Sequence, residues 1–200
     1  YFFRDGATLA VAAVFLSLMS LQAFLMNQFA SDGDGLALEF LVPLSDVDIV
    51  RGKAVGGALL LLAAMVPCIL AAALLAPGSP IIHWLAMPLA VASVYALVAP
   101  LAAFLSMHFP RKVDLVRMGS AGNAHVAAAL IGFVATLVAA VPPMAILGLI
   151  GSALGRSGLA LGLTAAWAVL CTALSIPLLT GVARLAAARR ENLLLVARGR

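Results

Sequence analysis

The sequence predicts an all-α fold, a polytopic transmembrane helix bundle of about five spans, from two observations. The first is composition, because 64% of the 200 residues are hydrophobic and only 10% are charged, as is typical of membrane-embedded chains. The second is pattern: the apolar residues form long runs separated by short polar segments, and about 20 apolar residues cross the hydrocarbon core as a helix. We interpret residues 1–200 as a single transmembrane domain.

Each long apolar run predicts one span. In chain order, the predicted spans lie at about residues 7–30, 54–76, 80–107, 126–150 and 158–183. Pro142 and Pro143 fall inside the fourth run, and each proline removes a backbone donor from the helix. We therefore expect this run to be one kinked or broken span, with a shorter span followed by a re-entrant segment as the alternative.

Positive charge predicts how the spans are oriented. If the polar loop between the first two spans is cytoplasmic, all of the twelve Lys and Arg residues except Arg4 and Arg156 lie on the cytoplasmic side, which is the bias of the positive-inside rule. We predict a multi-pass protein of the cell membrane (plasma or inner membrane) with a cytoplasmic polar loop and C-terminus. Five spans place the N-terminus outside, so we expect a sixth span before Tyr1 in a longer chain.

The remaining polar residues give no sign of catalysis or of nucleic-acid binding. The basic residues form no face interleaved with aromatic side chains, so we expect no nucleic-acid partner. Cys68 and Cys171 lie within apolar runs without the spacing of metal ligands, and no H-E-x-x-H or G-x-S-x-G motif is present. We therefore expect that the chain is not an enzyme and holds no metal.

The polar loop, residues 31–53, is the most informative segment. Pro43 ends any helix that precedes it, and Ser45 can cap the next helix, whose first turn holds Asp46 and Asp48. We expect this second helix to run directly into the second span.

The residues before Pro43 predict a short amphipathic helix on the membrane surface. Leu36 and Phe40 are one helical turn apart, with Glu39 between them, so apolar and charged side chains fall on different faces. The polar loop is thus expected to hold two helices separated by a proline.

The motifs of this loop resemble a known family. The pattern N-x-F-x-x-D-G-x-G, then P-x-S-x-x-D-I, then G-K directly before a span is similar to the first long cytoplasmic loop of ABC-2-type exporter permeases. The matching residues are Asn27, Phe29, Asp32, Gly33, Gly35, Pro43, Ser45, Asp48, Ile49, Gly52 and Lys53. The segments FPRKVDL at 109–115 and RRENLLLVARGR at 189–200 are also similar to the family's second cytoplasmic loop and tail.

This resemblance implies the membrane-spanning permease subunit of an ATP-driven exporter, equivalent to the C-terminal portion of such a subunit. The implied partners are a separate ABC ATPase subunit, a second permease domain in a homo- or heterodimer, and the lipid bilayer. In that family the loop carries a coupling helix that docks on the ATPase. The residues expected to couple the two chains are Asn27, Asp32, Asp34, Glu39, Phe40, Pro43, Ser45, Asp46, Asp48 and Lys53.

The chain itself has no motif for ATP hydrolysis. Its only G-K pair, Gly52-Lys53, is followed by Ala54 and lacks the upstream glycine of a phosphate-binding loop. We expect no cofactor in this chain, with ATP and Mg²⁺ held by the partner ATPase. The alternatives are a secondary carrier or channel, which the absence of mid-span charges disfavours, and a structural membrane subunit. The identity of the substrate stays open.

Overall fold

The computed structural model describes residues 6–32, 35–75, 81–111 and 124–197. Across these ranges the chain is helical and forms no strand, which confirms the all-α prediction. The helices are α1 (Gly6–Leu25), α2 (Gly35–Leu41), α3 (Asp46–Leu75), α4 (Ile81–His108), α5 (Val126–Ala145), α6 (Ser157–Ala188) and α7 (Arg190–Ala197). A short 3₁₀ turn, Ala30–Asp32, follows α1, and a π-helix, Ile146–Ala153, continues α5.

Four of these helical segments are long and apolar enough to cross a membrane. They are Asp46–Leu75, Trp84–His108, Val126–Gly151 and Ser157–Ala188. They correspond to the second, third, fourth and fifth predicted spans. Four helices able to span a membrane indicate a multi-pass membrane protein.

Helix α4 lies at the centre of the bundle. It packs against α1, α3, α5 and α6, and it is the most buried of the four long segments. Its buried face is rich in small side chains, including Ala86, Ala90, Ala99 and Ala102. Small residues let helix backbones approach closely, and this close packing is what holds helices together where lipid is as apolar as the core.

The tandem prolines do not divide the fourth apolar run. The backbone N–H of Ile146 bonds to the carbonyls of both Pro142 and Pro143, and the wider π-helical turns then continue the same helix. Gly155, with φ 64°, ends the run in a conformation that favours glycine. The fourth apolar run is therefore one continuous helical segment through the prolines, and Val126–Gly151 is long and apolar enough to cross a membrane.

The first apolar run is helical over a shorter range than predicted. Helix α1 ends at Leu25, five residues before the predicted boundary at about residue 30. The next residues leave the helix because their polar groups bond to other parts of the fold, as described below for Asn27 and Phe29. Composition alone could not place this boundary.

The polar loop folds as two helices on either side of Pro43. Helix α2 covers Gly35–Leu41, and α3 begins at Asp46 and continues without a break to Leu75. With 30 residues, α3 is about 45 Å long, whereas the hydrocarbon core is about 30 Å thick. Helix α3 is therefore longer than the core is thick, and its charged residues all lie in its first turns.

Candidate functional site

The predicted site residues collect at one end of the bundle, which we call the polar end. It consists of the 3₁₀ turn, α2, the first turns of α3, the last turns of α4 and α6, and α7. A separate hydrophobic cluster joins these segments, with buried members Phe29, Leu36, Ile49, Val50, Ala103, Met107, Leu179, Val182, Ala183, Ala186 and Leu193. The polar end is thus a packed unit rather than a loose loop.

Lys53 is the central charge of the polar end. Its Nζ forms ion pairs with Asp32 of the 3₁₀ turn and with Glu39 of α2, the latter at 3.0 Å. The ammonium also lies 5.2 Å from the centroid of the Phe29 ring, within the range of a cation–π contact. One side chain of α3 therefore holds the turn after α1 and the helix α2.

The burial of these three charged groups is unequal. The Lys53 side chain is only 9% exposed, whereas those of Asp32 and Glu39 are 31% and 40% exposed. A buried ammonium is stable only when it is paired, because its desolvation costs several kcal/mol. The two carboxylates supply that pairing from the solvent side, so Lys53 is fixed in position.

Asn27 joins the end of α1 to the segment that follows α4 by hydrogen bonds. Its side-chain Nδ2 donates to the carbonyl oxygen of Arg111 at 2.7 Å, and its Oδ1 accepts from the Arg111 backbone N–H at 3.0 Å. The backbone N–H of Phe29 donates to Ser106 Oγ at 2.9 Å. Asn27 and Phe29 are fully buried, so these bonds satisfy groups that water cannot reach.

Ser45 and Asp48 form a reciprocal cap at the start of α3. The Asp48 backbone N–H donates to Ser45 Oγ at 3.2 Å, and the Ser45 backbone N–H donates to Asp48 Oδ2 at 3.2 Å. The Ser45 hydroxyl also donates to Asp48 Oδ2 at 2.5 Å. This is the geometry of a capping box, with Asp in place of the usual Glu or Gln. The predicted helix start is confirmed in place and mechanism.

Asp46 has a different role from its neighbour in the first turn of α3. Its Oδ1 lies 2.9 Å from a terminal nitrogen of Arg190 and accepts from Arg190 Nε at 3.0 Å. The same guanidinium lies 4.8 Å from the centroid of the Phe40 ring. Arg190, the first residue of α7, therefore joins α7 to both α2 and α3.

Three residues of the site were not predicted from the sequence. Ser106 lies in an apolar run, Arg111 contributes only backbone atoms, and Arg190 was interpreted as a topology charge. The charge of the R-R pair at 189–190 is the sequence signal that could have suggested Arg190 as a partner for the acidic residues of the polar loop. The partners of Ser106 and Arg111 depend on how distant segments meet.

Helix α2 has an inner face and an outer face. Leu36 is completely buried and Phe40 packs against the same cluster. On the opposite side Leu38 is 67% exposed and Leu41 is 79% exposed, and the following Val42 and Leu44 are also exposed. Contiguous exposed apolar side chains next to charged groups are typical of a surface that binds a partner.

A cavity of about 610 Å³ opens beside α2. Asp32, Glu39 and Lys53 form one wall, and the face of α3 that carries Gly52 and Gly56 forms another. Of the three carboxylates that line it, those of Asp32 and Glu39 are paired with Lys53, and that of Asp48 is bonded to Ser45. Among the described residues, no group of three His, Cys, Asp or Glu side chains is placed to hold a metal ion.

Two predicted residues contribute less to this geometry. Pro43 lies in the exposed link between α2 and α3 and separates the two helices. Asp34 lies outside the described residues, as do Gly33 and most of the second polar loop, residues 112–123. The structure therefore brings together Asn27, Asp32, Glu39, Phe40, Ser45, Asp46, Asp48 and Lys53.

Comparison with known proteins does not identify a relative. No protein-family model matches the chain, and neither a curated protein nor a solved structure matches it. The candidate function rests on the motifs of the polar loop and on the contacts of the polar end.

Proposed function

We propose that this chain is the membrane-spanning permease subunit of an ATP-driven, ABC-type exporter, and that α2 is its coupling helix. One observation carries the proposal. Helix α2 is fixed to α3 and α7 through its inner face and through charged contacts, while its outer face presents Leu38 and Leu41 to solvent. The sequence motifs that resemble ABC-2-type permeases fall on this same segment.

A coupling helix must transmit force rather than merely bind. The ion pairs of Lys53 link α2 and the 3₁₀ turn to a residue near the start of α3, and α3 continues as one helix into the bundle. A partner that moves α2 therefore moves α3 with it. Since α3 packs against α1, α4 and α6, this movement reaches the helices that would line a translocation path.

The proposed topology has five spans, with α1 as the fifth spanning helix. Its 20 residues are about 30 Å long, which matches the thickness of the hydrocarbon core. The distribution of Lys and Arg supports a cytoplasmic polar end in the cell membrane. The proposed ATPase would then bind from the cytoplasm.

The proposed assembly has two permease domains and two ATPase subunits. The ATP and Mg²⁺ belong to the ATPase, because the described contacts of Lys53 are with carboxylates and an aromatic ring rather than in a phosphate-binding loop. This chain's own contribution is to bind the ATPase, to transmit its movement and to enclose the path.

Crosslinking from single cysteines tests the proposal. In a chain with Cys68 and Cys171 replaced by alanine, we place cysteine at Leu38 or Leu41 and, as a control, at Leu74, which is 82% exposed near the other end of α3. We expect crosslinks to a co-purifying Walker-motif ATPase from positions 38 and 41 only.

Two results would count against the permease. One is purification from native membranes without any ATPase, and the other is equal crosslinking from all three positions. Transport by the purified chain alone, driven by an ion gradient, would instead favour a secondary carrier or channel.

A further inference from the structure

A long groove runs along the bundle between α3 and α6, away from the cavity beside α2. The two helices meet at the polar end, where Ile49 and Val50 of α3 share a hydrophobic cluster with Leu179 and Val182 of α6. Farther along, residues of α3, α4 and α6 together line an open space. The resulting groove has a volume of about 760 Å³.

The lining of this groove is apolar over most of its length. Leu61, Leu62 and Met65 of α3 and Val91 of α4 contribute much of the wall, and Ile176 of α6 lies opposite. Four polar side chains line it, those of Arg51, Tyr95, Thr172 and Ser175. The groove therefore suits a hydrocarbon chain better than a polar solute.

Two hydroxyl groups in the groove show how it stays apolar. The Tyr95 hydroxyl donates to the Ala54 carbonyl oxygen at 2.5 Å, and Thr172 Oγ1 donates to the Ala168 carbonyl oxygen at 2.8 Å. Both of these hydroxyl protons are thus donated to helix backbone rather than to a ligand.

Arg51 gives the groove a charge at one end. It is the one charged residue among the described residues that line the groove, and it is exposed. Its guanidinium donates to Thr180 Oγ1 at 3.5 Å, and it forms no ion pair with a carboxylate in the described part of the chain. A weakly bonded, exposed guanidinium is well suited to bind a phosphate.

The groove is longer than the hydrocarbon part of one leaflet is thick. Along α3 the lining extends from Arg51 to Met65, which is about 21 Å at the helical rise of 1.5 Å per residue. Half of the hydrocarbon core is about 15 Å thick. A lipid whose headgroup lies at Arg51 can therefore place a whole acyl chain in the groove.

We propose that this groove binds an anionic phospholipid from the leaflet on the side of the polar end. The phosphate of the headgroup pairs with Arg51, and one acyl chain lies between α3 and α6 over α4. The rims of the groove are exposed apolar side chains, including Val55 and Ile176, so lipid has direct access. This site needs only the membrane character of the helices and does not rest on the proposed ATPase coupling.

Lipid titration of the purified full chain, followed by native mass spectrometry, tests the proposal. The probes are phosphatidylglycerol and phosphatidylcholine with identical acyl chains, with glycerol phosphate as a headgroup-only competitor. We expect phosphatidylglycerol to bind about fivefold more tightly than phosphatidylcholine, as one Arg near an anionic headgroup supplies about 1 kcal/mol. Glycerol phosphate should compete weakly, because it lacks the acyl chain.

Substitutions separate the headgroup contact from the chain contact. Arg51→Gln should remove the fivefold preference, Arg51→Lys should keep most of it, and Arg184→Gln, an exposed Arg of α6 outside the groove, should not change it. Ala92→Phe should weaken the binding of both lipids because the larger side chain fills the groove. Ala166 is exposed elsewhere on α6, so Ala166→Phe should leave the binding of both lipids unchanged.

Four results would overturn the proposal. They are equal binding of the two lipids by the wild type, an equal effect of Arg51→Gln and Arg184→Gln, full competition by glycerol phosphate, and disulfide-linked dimers from Ala92→Cys under conditions where no lipid is retained. The last result would assign the groove to a second copy of the chain. The Arg51 variants change an exposed side chain, so they test the headgroup contact even if Ala92→Phe fails to fold.

Discussion

The polar end and the membrane-embedded part of the bundle are held together by different interactions. At the polar end, charged side chains join separate segments, as Lys53 joins α2 and the 3₁₀ turn to α3. In the bundle, small residues allow close contact, and directional bonds are few, such as Gln22 Nε2 to the Ala129 carbonyl at 3.0 Å. Ion pairs between segments therefore distinguish the polar end, whereas close packing of small side chains distinguishes the bundle.

The two regions differ because one is suited to lipid surroundings and the other to contact with water. Where lipid surrounds a helix, apolar burial gives little driving force, and packing of small side chains decides stability. Where water is near, charged pairs are less costly to form because part of their hydration is kept. Substitutions in the two regions should therefore differ in size and in dependence on salt.

Lys53→Met should have the largest effect. It leaves the carboxylates of Asp32 and Glu39 without their shared cation. We expect the free energy of unfolding to fall by about 3 kcal/mol. This is the lower end of the range for a broken buried pair, because the two carboxylates are partly exposed. Thermal unfolding in detergent measures this loss of stability. Arg184→Met, which removes an exposed charge, is the control.

The ion-pair account of Lys53 would be wrong if the two variants had the same stability. A second measurement sharpens it: adding Asp32→Asn to Lys53→Met should recover part of the loss, since it removes one of the two unpaired charges. The wild type should also lose more stability at high salt than Lys53→Met does.

Asn27→Ala should come next. It leaves the backbone N–H and C=O of Arg111 without their side-chain partner, and we expect a loss of about 2 kcal/mol from two part-buried hydrogen bonds. Ser31→Ala removes a local bond to the Gln28 carbonyl in the same turn and should cost clearly less. Equal losses in unfolding experiments would show that Asn27 does not join α1 to the segment after α4.

Gly57→Ala tests the membrane-embedded region. A Cβ at Gly57 would overlap the Tyr95 hydroxyl and lie 2.8 Å from Leu25 Cδ2, whereas one at Gly56 has open space. The Tyr95 hydroxyl is held by the Ala54 carbonyl, so it cannot move freely, and we expect a loss of about 1.5 kcal/mol from overpacking. Gly56→Ala is the matched control.

The salt dependence of Gly57→Ala distinguishes the two regions. Its loss of stability should be the same at low and high ionic strength, because no charge is involved. A salt-dependent loss, or an equal loss from Gly56→Ala, would remove the distinction between packing in the bundle and ion pairing at the polar end.

Ser45→Ala should have the smallest effect. It removes the hydroxyl of the cap on α3, and loss of an N-cap costs about 1 kcal/mol. Ser45→Thr keeps a hydroxyl and should retain most of the stability. Unfolding that is unchanged in the alanine variant would mean that Pro43 and the ion pairs alone fix the start of α3.

Local features of the polar end could be predicted from the sequence, and long-range ones could not. Pro43 and Ser45 mark a helix boundary through their own backbone and side-chain chemistry, so the division between α2 and α3 was predictable. Asn27 and Arg111 are 84 residues apart, and Asp46 and Arg190 are 144 apart. No local pattern specifies such pairs.

The end of α1 illustrates the same limit. Hydropathy favoured a helix up to about residue 30, but the chain turns after Leu25 because Asn27 and Phe29 bond to the segment around the end of α4. Those tertiary bonds outweigh the helical preference of a few apolar residues. The four long spans, in contrast, follow directly from composition and length.

We propose that the outer face of α2 binds an ATPase while its inner face fixes α2 to the bundle. The most direct measurement is ATPase co-purification with the double variant Leu38→Glu and Leu41→Glu, compared with wild type, together with thermal unfolding of both. We predict loss of the co-purifying ATPase with an unchanged unfolding temperature, since both side chains are exposed. Retention of the ATPase by the correctly folded double variant would contradict the claim.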